Sequence, residues 1–280
     1  MALKRVLWAG VTIAGTAGAA LAEPQKSGQD YAHNWQMGLQ PAASPVMERL
    51  HSFHFELLVL ITAICIFVAG LLIFVLVRFN QRRNPVPERT EHNTALEIAW
   101  TVVPVLILAV IAWPSFKLLY YEAEIPKPDV TIEAIGRQWY WTYVYPNEGK
   151  FQFDSNMLAD NVAKERGEPR LLGVDNPVYV PVNKVVEIIT TGGDVIHSWA
   201  VPAFGVKMDA IPGRLNHTWF KATKIGTYYG QCSELCGANH AFMPIEVKVV
   251  SEAEYRAWLT EARNKFASGG STELALNKSE

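Results

Sequence analysis

Two long runs of apolar residues in the first half of the chain limit its fold more than any other feature. Residues 57–77 contain no charged side chain, and neither do residues 98–116. Each run is close to the ~20 residues, or roughly 30 Å of helix, that the hydrocarbon core of a bilayer requires. A helix can cross lipid because it satisfies its backbone hydrogen bonds within one segment. The sequence therefore predicts two transmembrane helices, at about residues 53–79 and 95–121.

The loop between these helices predicts the orientation of the chain, because cytoplasmic loops carry an excess of positive charge. The arginines in this loop are Arg78, Arg82, Arg83 and Arg89. Both ends of the mature chain are then expected in the periplasm of a bacterium, with the helices in its inner membrane. Residues 1–22 are typical of a signal peptide, with Lys4 and Arg5 at its start and a small-x-small cleavage site at residues 20–22. The alternative for this segment is a third membrane helix.

Beyond about residue 122 the sequence changes to short β-branched or aromatic segments separated by Gly, Pro and Asn. Such a pattern is typical of a β-sandwich or barrel, and the length suits a Greek-key sandwich. The predicted strands are residues 130–135, 139–145, 178–182, 185–190, 217–221, 227–230 and 245–250. Residues 156–175 are predicted to form a long loop, and residues 252–266 a surface helix.

The predicted organisation has four parts, and the fold class is a membrane-anchored all-β protein with a helical hairpin at its N-terminal end. The parts are a signal peptide (1–22), an N-terminal segment with both helices (23–121), a periplasmic β domain (122–267) and a flexible tail (268–280).

The segment between the last two predicted strands carries the candidate chemistry. It follows the pattern Cys-x3-Cys-x3-His-x2-Met, with Cys232, Cys236, His240 and Met243. A strand-like segment about 35 residues upstream adds His197. Thiolate, thioether and imidazole are soft ligands that favour copper. A mononuclear blue-copper site needs only one cysteine, so the second cysteine allows two sulfur bridges and two copper ions.

Two other interpretations stay open for this pair of cysteines. Cys232 and Cys236 could form a disulfide in an oxidising compartment, or they could bind zinc. Zinc sites use Cys-x2-Cys more commonly than Cys-x3-Cys, and methionine is a poor zinc ligand. Cys65 lies in the first apolar run without a nearby ligand partner, so it is predicted to be a small packed residue.

Residues 194–216 (DVIHSWAVPAFGVKMDAIPGRLN) and 226–244 (GTYYGQCSELCGANHAFMP) resemble subunit 2 of haem-copper cytochrome c oxidases. The resemblance runs from the first membrane segment to the end of the β domain. It implies a cupredoxin-like fold and a dinuclear copper A centre, with Cys232 and Cys236 bridging both copper ions.

The same resemblance implies a role for each remaining ligand. One copper ion would be held by His197 and Met243. The other would be held by His240 and the backbone carbonyl of Glu234. The side chain of Glu234 would also reach a magnesium ion shared with the large subunit.

The aromatic segment Trp139–Tyr145 has two interpretations. On a strand, positions 139, 141, 143 and 145 share one face, and aromatic side chains often only bury area there. The resemblance implies instead that Trp139 is the point at which electrons enter. Tyr140 and Trp141 are then expected to pack beside it.

Glu97 opens the second apolar run on its cytoplasmic side. Thr94-x-x-Glu97 is a capping-box pattern, and an acidic residue is favoured at a helix N-terminus. The resemblance implies a second role, as the entrance of a proton pathway into the large subunit.

Several other charged residues are expected at interfaces. The resemblance implies that Asp209 and Arg214 face the large subunit near the magnesium ion, and that Asp194 lies in the docking surface for the donor. Glu56 and Lys117 are interpreted as subunit-interface residues.

The resemblance implies the electron-entry subunit of a cytochrome c oxidase, an oxidoreductase and translocase. Its partners would be a haem-containing large subunit, a further membrane subunit, cytochrome c and lipids, without nucleic acid. Residues 122–280 carry 20 acidic and 16 basic side chains, a net charge of −4 that suits a basic cytochrome c. The chain has no Cys-x-x-Cys-His haem motif, so oxygen reduction is expected in the large subunit.

Three other functions share part of this pattern. The first alternative is a membrane-anchored copper-delivery protein, although such proteins usually have one anchor and a thioredoxin-like pattern. The second is subunit 2 of a quinol oxidase, against which the two cysteines argue. The third is a nitrous oxide reductase, which lacks the paired membrane spans.

Overall fold

The computed structural model describes residues 28–86 and 88–266, which form two long helices followed by a β domain. The predicted signal peptide and the predicted flexible tail lie outside these residues. Helix α1 spans Pro45–Arg78 and helix α2 spans Thr94–Ala123. Both exceed the length that a bilayer core requires, and their most apolar windows bury no residue inside the protein. Their apolar side chains are thus free to contact lipid or other membrane subunits.

The start of α1 lies eight residues before the predicted start at residue 53. Ser44 caps the helix by accepting a hydrogen bond from the Met47 backbone N–H (3.0 Å), and Pro45 occupies the first helical position, where its missing N–H costs nothing. The hydropathy pattern finds only the apolar part of a helix, so this polar first segment was not predicted.

The predicted capping box at Thr94 is wrong by one residue. Asn93 is the cap of α2, and its side chain accepts a hydrogen bond from the Leu96 N–H (3.1 Å). Glu97 instead accepts from the Asn93 backbone N–H through Oε1, at 3.3 Å. The Asn93 side chain thus accepts from a first-turn N–H, and the Glu97 side chain accepts from the Asn93 N–H. This is the pattern of a capping box with one extra residue between its two members.

The β domain is built from three sheets. Its strands are β1 Gln29–Asp30, β2 Val130–Arg137, β3 Tyr140–Tyr145, β4 Phe151–Ser155, β5 Val178–Pro181, β6 Val185–Gly192, β7 His197–Val201, β8 Val206–Ala210, β9 Asn216–Lys221, β10 Gly226–Gln231 and β11 Pro244–Val250. One sheet has the order β4-β3-β2-β6-β9, another has the order β1-β10-β11-β5, and β7 and β8 form a hairpin. The parallel pairs β2–β6 and β5–β11 join strands that are distant in sequence. This arrangement agrees with the predicted β-sandwich.

All seven predicted strands are present, and the strand-like segment that carries His197 is β7, but β1, β4 and β8 were not predicted. The loop prediction for residues 156–175 is wrong in part, because helix α3 spans Asp160–Arg166 within it. An acidic residue in the first turn and Gly167 in the left-handed conformation at the end bound this short helix. Helix α4 spans Glu252–Phe266, as predicted.

The core between the sheets is apolar and strongly aromatic. Trp141, Tyr143 and Tyr145 are buried on one face of β3, as the alternation predicts, whereas Trp139 precedes the strand and is only half-buried. Helix α4 covers one end of the sandwich, where Trp258 stacks on Tyr179 with ring centroids 4.7 Å apart. This core holds the loops at the other end of the domain in place.

The start of α1 is joined directly to the β domain, at what we call the helix–domain junction (residues 43–47, 203–205 and 223). Ser44 Oγ donates to the Phe204 carbonyl (2.6 Å), and the Ala43 N–H donates to the Ala203 carbonyl (2.9 Å). The Thr223 N–H donates to the Ala43 carbonyl (2.9 Å), and both Ala43 and Ser44 are buried. No flexible linker therefore separates α1 from the domain at this point.

Candidate metal centre

Strand pairing explains why residues distant in sequence meet at one end of the domain. Gln231 at the end of β10 pairs with Pro244 at the start of β11, so the intervening loop is closed at its base. The Ser233 N–H donates to the Ser198 carbonyl (3.0 Å), which holds this loop against β7. A Cβ atom on Gly230 would lie 1.8 Å from the Ala200 carbonyl oxygen, so only glycine permits this approach. His197, the first residue of β7, is thereby placed beside the loop.

The predicted ligand atoms form a continuous cluster. The two sulfurs, Cys232 Sγ and Cys236 Sγ, are 3.8 Å apart at its centre. His197 Nδ1 lies 3.9 Å from Cys232 Sγ, and His240 Nδ1 lies 3.6 Å from Cys236 Sγ. The Met243 Sδ atom lies 3.5 Å from Cys236 Sγ. The Glu234 carbonyl oxygen lies 3.4 Å from Cys232 Sγ. All six predicted ligands are therefore brought together.

These spacings fit donors that share metal ions. Ligand atoms at about 2.0–2.3 Å from a tetrahedral ion lie roughly 3.3–3.8 Å from one another. Two central sulfurs with an imidazole on each side match two ions that share the sulfurs. The separation of 3.8 Å also excludes a disulfide in this structure, because its sulfurs would be about 2.05 Å apart. The donor set contains a thioether and two thiols, which is the chemistry of copper and not that of magnesium or calcium.

The surroundings give the two thiols different acidities. Burial alone would raise the pKa of Cys232, but hydrogen bonds with His197 and with the backbone at Glu234 and Ser198 lower this pKa to about 6. Burial and the neighbouring Cys232 raise the pKa of Cys236 to about 12. Near neutral pH the metal-free pair therefore carries about one negative charge, located mainly on Cys232.

Asp194 orients His197. Its Oδ1 lies 2.8 Å from His197 Nε2, so the other ring nitrogen, Nδ1, faces the sulfurs. Backbone N–H groups of Gln138 (2.7 Å) and Val195 (2.6 Å) also donate to the Asp194 carboxylate. Burial opposes ionisation, but these hydrogen bonds hold the pKa of Asp194 below its usual value. Carboxylate partners of this kind fix the tautomer and orientation of metal-binding histidines.

Gly136 supports the other side of the same ring. A Cβ atom added to Gly136 would lie 2.7 Å from three carbon atoms of His197. His197 is completely buried, and burial alone would lower its pKa, but Cys232 and Asp194 raise that pKa above its usual value. Only glycine at position 136 therefore leaves room for this buried imidazole.

Two aromatic side chains connect β3 to the ligand loop. The Trp139 indole N–H donates to the Cys236 carbonyl (3.2 Å), which also accepts from the Gln138 side chain (2.8 Å). The buried Trp141 donates to the Met243 carbonyl (3.3 Å), and its ring centroid lies 6.0 Å from that of His197. The contacts of Gln138 and Trp141 could not be predicted from the sequence. The one sequence feature that pointed to a functional role for them was that they lie within two residues of Trp139.

The other predicted site residues lie apart from this cluster. The Glu234 side chain is exposed, and the group with metal-binding spacing found among the described residues is His197, Cys232 and Cys236. Asp209 lies 3.3 Å from Lys207 as an ion pair, and Arg214 is exposed. Glu97 is at the opposite end of α2 from the β domain. A magnesium site is thus not assembled by the described part of this chain alone.

Comparisons with known proteins match the helical part and the β domain of this chain to the same family. Residues 130–250 match the family model of the cytochrome c oxidase subunit II periplasmic domain, and residues 32–118 match that of its transmembrane domain. The chain is 51% identical over 243 residues to a probable cytochrome c oxidase subunit 2 of Rickettsia bellii, covering 87% of this chain and 90% of that protein. It is 48% identical over 255 residues to cytochrome c oxidase subunit 2 of Cereibacter sphaeroides, covering 85% and 82%.

One similar solved structure covers the β domain. It is a crystal structure of the periplasmic domain of subunit II of cytochrome oxidase from Bradyrhizobium japonicum, 59% identical to the matched residues. The match covers 51% of this chain and 99% of that domain, with a TM-score of 0.48.

Proposed function

Because this chain belongs to the cytochrome c oxidase subunit II family, we propose that the cluster around Cys232 and Cys236 is its dinuclear copper A centre. The chain is the membrane-anchored subunit through which electrons enter a haem-copper terminal oxidase, an oxidoreductase whose other subunits are its partners. The family implies copper A binding, and the donor set described above is suited to copper.

One observation carries the ligand assignment: two free, buried thiols 3.8 Å apart have an imidazole nitrogen within 3.9 Å on either side. Both sulfurs would bridge the two copper ions. His197 and Met243 would complete the coordination of one ion, and His240 with the Glu234 carbonyl would complete that of the other. When bound, the centre would accept and release one electron at a time.

The protein's part is to hold these donors still. Asp194 fixes the tautomer of His197, and the backbone of Gly136 lies so close to this side chain that no other residue fits there. Burial of Cys232, Cys236 and Met243 excludes water from the sulfurs. Ligands held in this way need little rearrangement when the charge of the centre changes, and small rearrangement favours fast electron transfer.

We place electron entry at Trp139. Its ring is partly exposed, and its indole N–H donates to the Cys236 carbonyl, so one side chain links the surface to a bridging cysteine. The donor would be cytochrome c. The half-exposed Asp194 and the net charge of −4 over residues 122–280 favour a basic donor. Glu148, the one acidic residue just after the aromatic segment, lies 3.5 Å from Arg263 in an ion pair, which reduces its part in docking.

The remaining roles concern the large subunit and the membrane. The exposed Glu234 carboxylate would bind magnesium together with ligands of the large subunit, near Asp209 and Arg214. Glu97, partly exposed in the first turn of α2, would admit protons from the cytoplasm. The arginine-rich loop supports an orientation in a bacterial inner membrane with both chain ends in the periplasm.

The copper content of the purified full-length chain tests the assignment. We expect two copper ions per chain and a spin-resonance signal from one unpaired electron shared by both. Cys232→Ser should abolish the shared signal because it removes a bridge. The control is Cys65→Ser, which changes an exposed thiol in α1 and should leave the signal intact. Saturation with one copper ion, or with one zinc ion, would contradict a dinuclear centre.

A further inference from the structure

A charged cleft lies between α1 and α2, away from the metal cluster. Its volume is about 200 Å³, and its lining residues are Arg49, Ser52, Phe53, Glu56, Pro114, Lys117 and Leu118. The cleft combines an apolar wall with two cations, one carboxylate and a hydroxyl group. None of these polar residues takes part in the metal centre or in the proposed electron path.

The cleft is at the depth of lipid headgroups. Glu56 directly precedes the uncharged run 57–77, and Lys117 directly follows the run 98–116. Both therefore mark the edge of the hydrocarbon core on the side of the β domain. Arg49 is seven residues before Glu56 on the same helix, which places it about 10 Å farther from the bilayer centre.

The charges in this cleft are not neutralised by the described part of the chain. No residue in the ranges 28–86 and 88–266 forms an ion pair with Arg49, Lys117 or Glu56. The Arg49 guanidinium lies over the Tyr121 ring (3.5 Å to the centroid), and the Lys117 amine lies 5.2 Å from the centroid of Trp113. Aromatic rings hold a cation in place without cancelling its charge. The cleft therefore retains a net charge of about +1.

We propose that this cleft binds the headgroup of an anionic phospholipid of the phosphatidylglycerol class, in the leaflet on the side of the β domain. The lipid phosphate would lie between Arg49 and Lys117, which are the two side chains that proteins most use for phosphate. The glycerol hydroxyls would donate to Glu56, and Phe53 and Leu118 would contact the beginning of an acyl chain. A singly charged lipid neutralises the cleft, whereas a zwitterionic lipid leaves it positive.

Lipid binding by the full-length chain in nanodiscs tests this proposal. The probe is spin-labelled phosphatidylglycerol, with spin-labelled phosphatidylcholine as the comparison. We expect the chain to prefer phosphatidylglycerol, and Arg49→Gln combined with Lys117→Gln to weaken its binding about 30-fold, at about fivefold per cation. Lys164→Gln, which removes an exposed cation on α3, is the matched control and should change nothing.

Two results would overturn the proposal. Equal retention of both lipids by the parent chain would show that the charges do not select a headgroup. Loss of the large subunit from the double variant, with unchanged lipid preference of the isolated chain, would show that the cleft binds protein instead. The copper spectrum of the double variant should match that of the parent, which separates this test from the copper assignment and reports that the β domain remains folded.

Discussion

At the scale of single residues, His197 shows how much of a metal site is built by residues that are not ligands. One ring nitrogen is fixed by Asp194, and Gly136 packs against ring carbon atoms on another side. Asp194 is also bound by the Gln138 backbone, next to Trp139. One carboxylate therefore holds both a ligand histidine and the backbone that precedes Trp139.

Gly136→Ala should disturb the metal centre without replacing any ligand residue. The new methyl group would lie 2.7 Å from the His197 ring, so either the ring or β2 must shift. Overpacking of this kind costs about 1–3 kcal/mol. We expect lower copper occupancy and a lower unfolding temperature, measured by metal analysis and calorimetry. At Gly38 no atom lies within 4 Å of an added Cβ, so Gly38→Ala is the control; equal effects of both variants would contradict the packing argument.

Trp139→Ala should slow copper reduction by cytochrome c much more than it weakens cytochrome c binding. The indole links the surface to the Cys236 carbonyl, and the docking contacts are proposed to lie around it. Stopped-flow kinetics and binding titrations measure the two quantities separately. Trp35→Ala, at a tryptophan that is 85% exposed, provides the control. If binding and rate fall together, or if the copper spectrum is lost, Trp139 is a docking or packing residue.

The ligand residues could be predicted from the sequence because their spacing is local, within twelve residues for four of them. Their supporting contacts could not. Gln138 and Asp194 are 56 residues apart, and Trp141 and Met243 are 102 apart. Such pairs meet only through the pairing of β2 with β6 and of β10 with β11, and strand pairing has no local sequence signal.

At the scale of elements, the strength of a pattern determined what could be predicted. Long uncharged runs identify both membrane helices, and α4 has a clear helical period. Strands β4 and β8 are five residues each and carry charged residues, so neither stands out from a loop. The first turns of α1 were missed because they leave the hydrocarbon and contact the β domain.

The N-terminus of α2 gives a test of the proton-pathway proposal. Glu97→Gln keeps a carbonyl oxygen that can accept from the Asn93 N–H, so the helix start should survive. We expect slower turnover and slower proton uptake in the assembled oxidase, because a titratable carboxylate is lost. Copper reduction by cytochrome c should be unchanged, since that site lies at the other end of the chain's membrane span.

Glu91→Gln serves as the comparison, because Glu91 is an exposed acidic residue in the same loop without a capping hydrogen bond. Turnover and proton uptake of Glu97→Gln equal to those of Glu91→Gln would leave only the capping role. Slower copper reduction would contradict the proposed orientation.

At the scale of the whole molecule, copper uptake should be linked to pH through the two thiols. Both must lose their protons to bridge copper. At pH 8 Cys232, with a pKa of about 6, is already a thiolate, and only Cys236, with a pKa of about 12, keeps its proton. At pH 5 both thiols are protonated, and His197, whose pKa is raised, is protonated as well.

We therefore expect about one thiol proton to be released per copper centre at pH 8, and at least two protons at pH 5. Apparent copper affinity should rise about tenfold per pH unit from the thiols between pH 6 and 12, and more steeply below pH 6. Calorimetric titration in two buffers of different ionisation enthalpy measures the number of protons. The same number at both pH values would contradict the unequal acidities of the cysteines.

The helix–domain junction determines which electron-transfer step of the oxidase depends on large-scale motion. Ser44 and Ala43 bond the top of α1 to the β domain, so the domain cannot swing on a tether as a mobile electron carrier does. The gap between this subunit's copper and its neighbour's haem is then set once, during assembly, and stays constant from one turnover to the next. The donor is then the protein that must diffuse over a long distance, while the β domain stays fixed. Solvent viscosity should accordingly slow the arrival of electrons at this subunit and leave their onward passage unaffected.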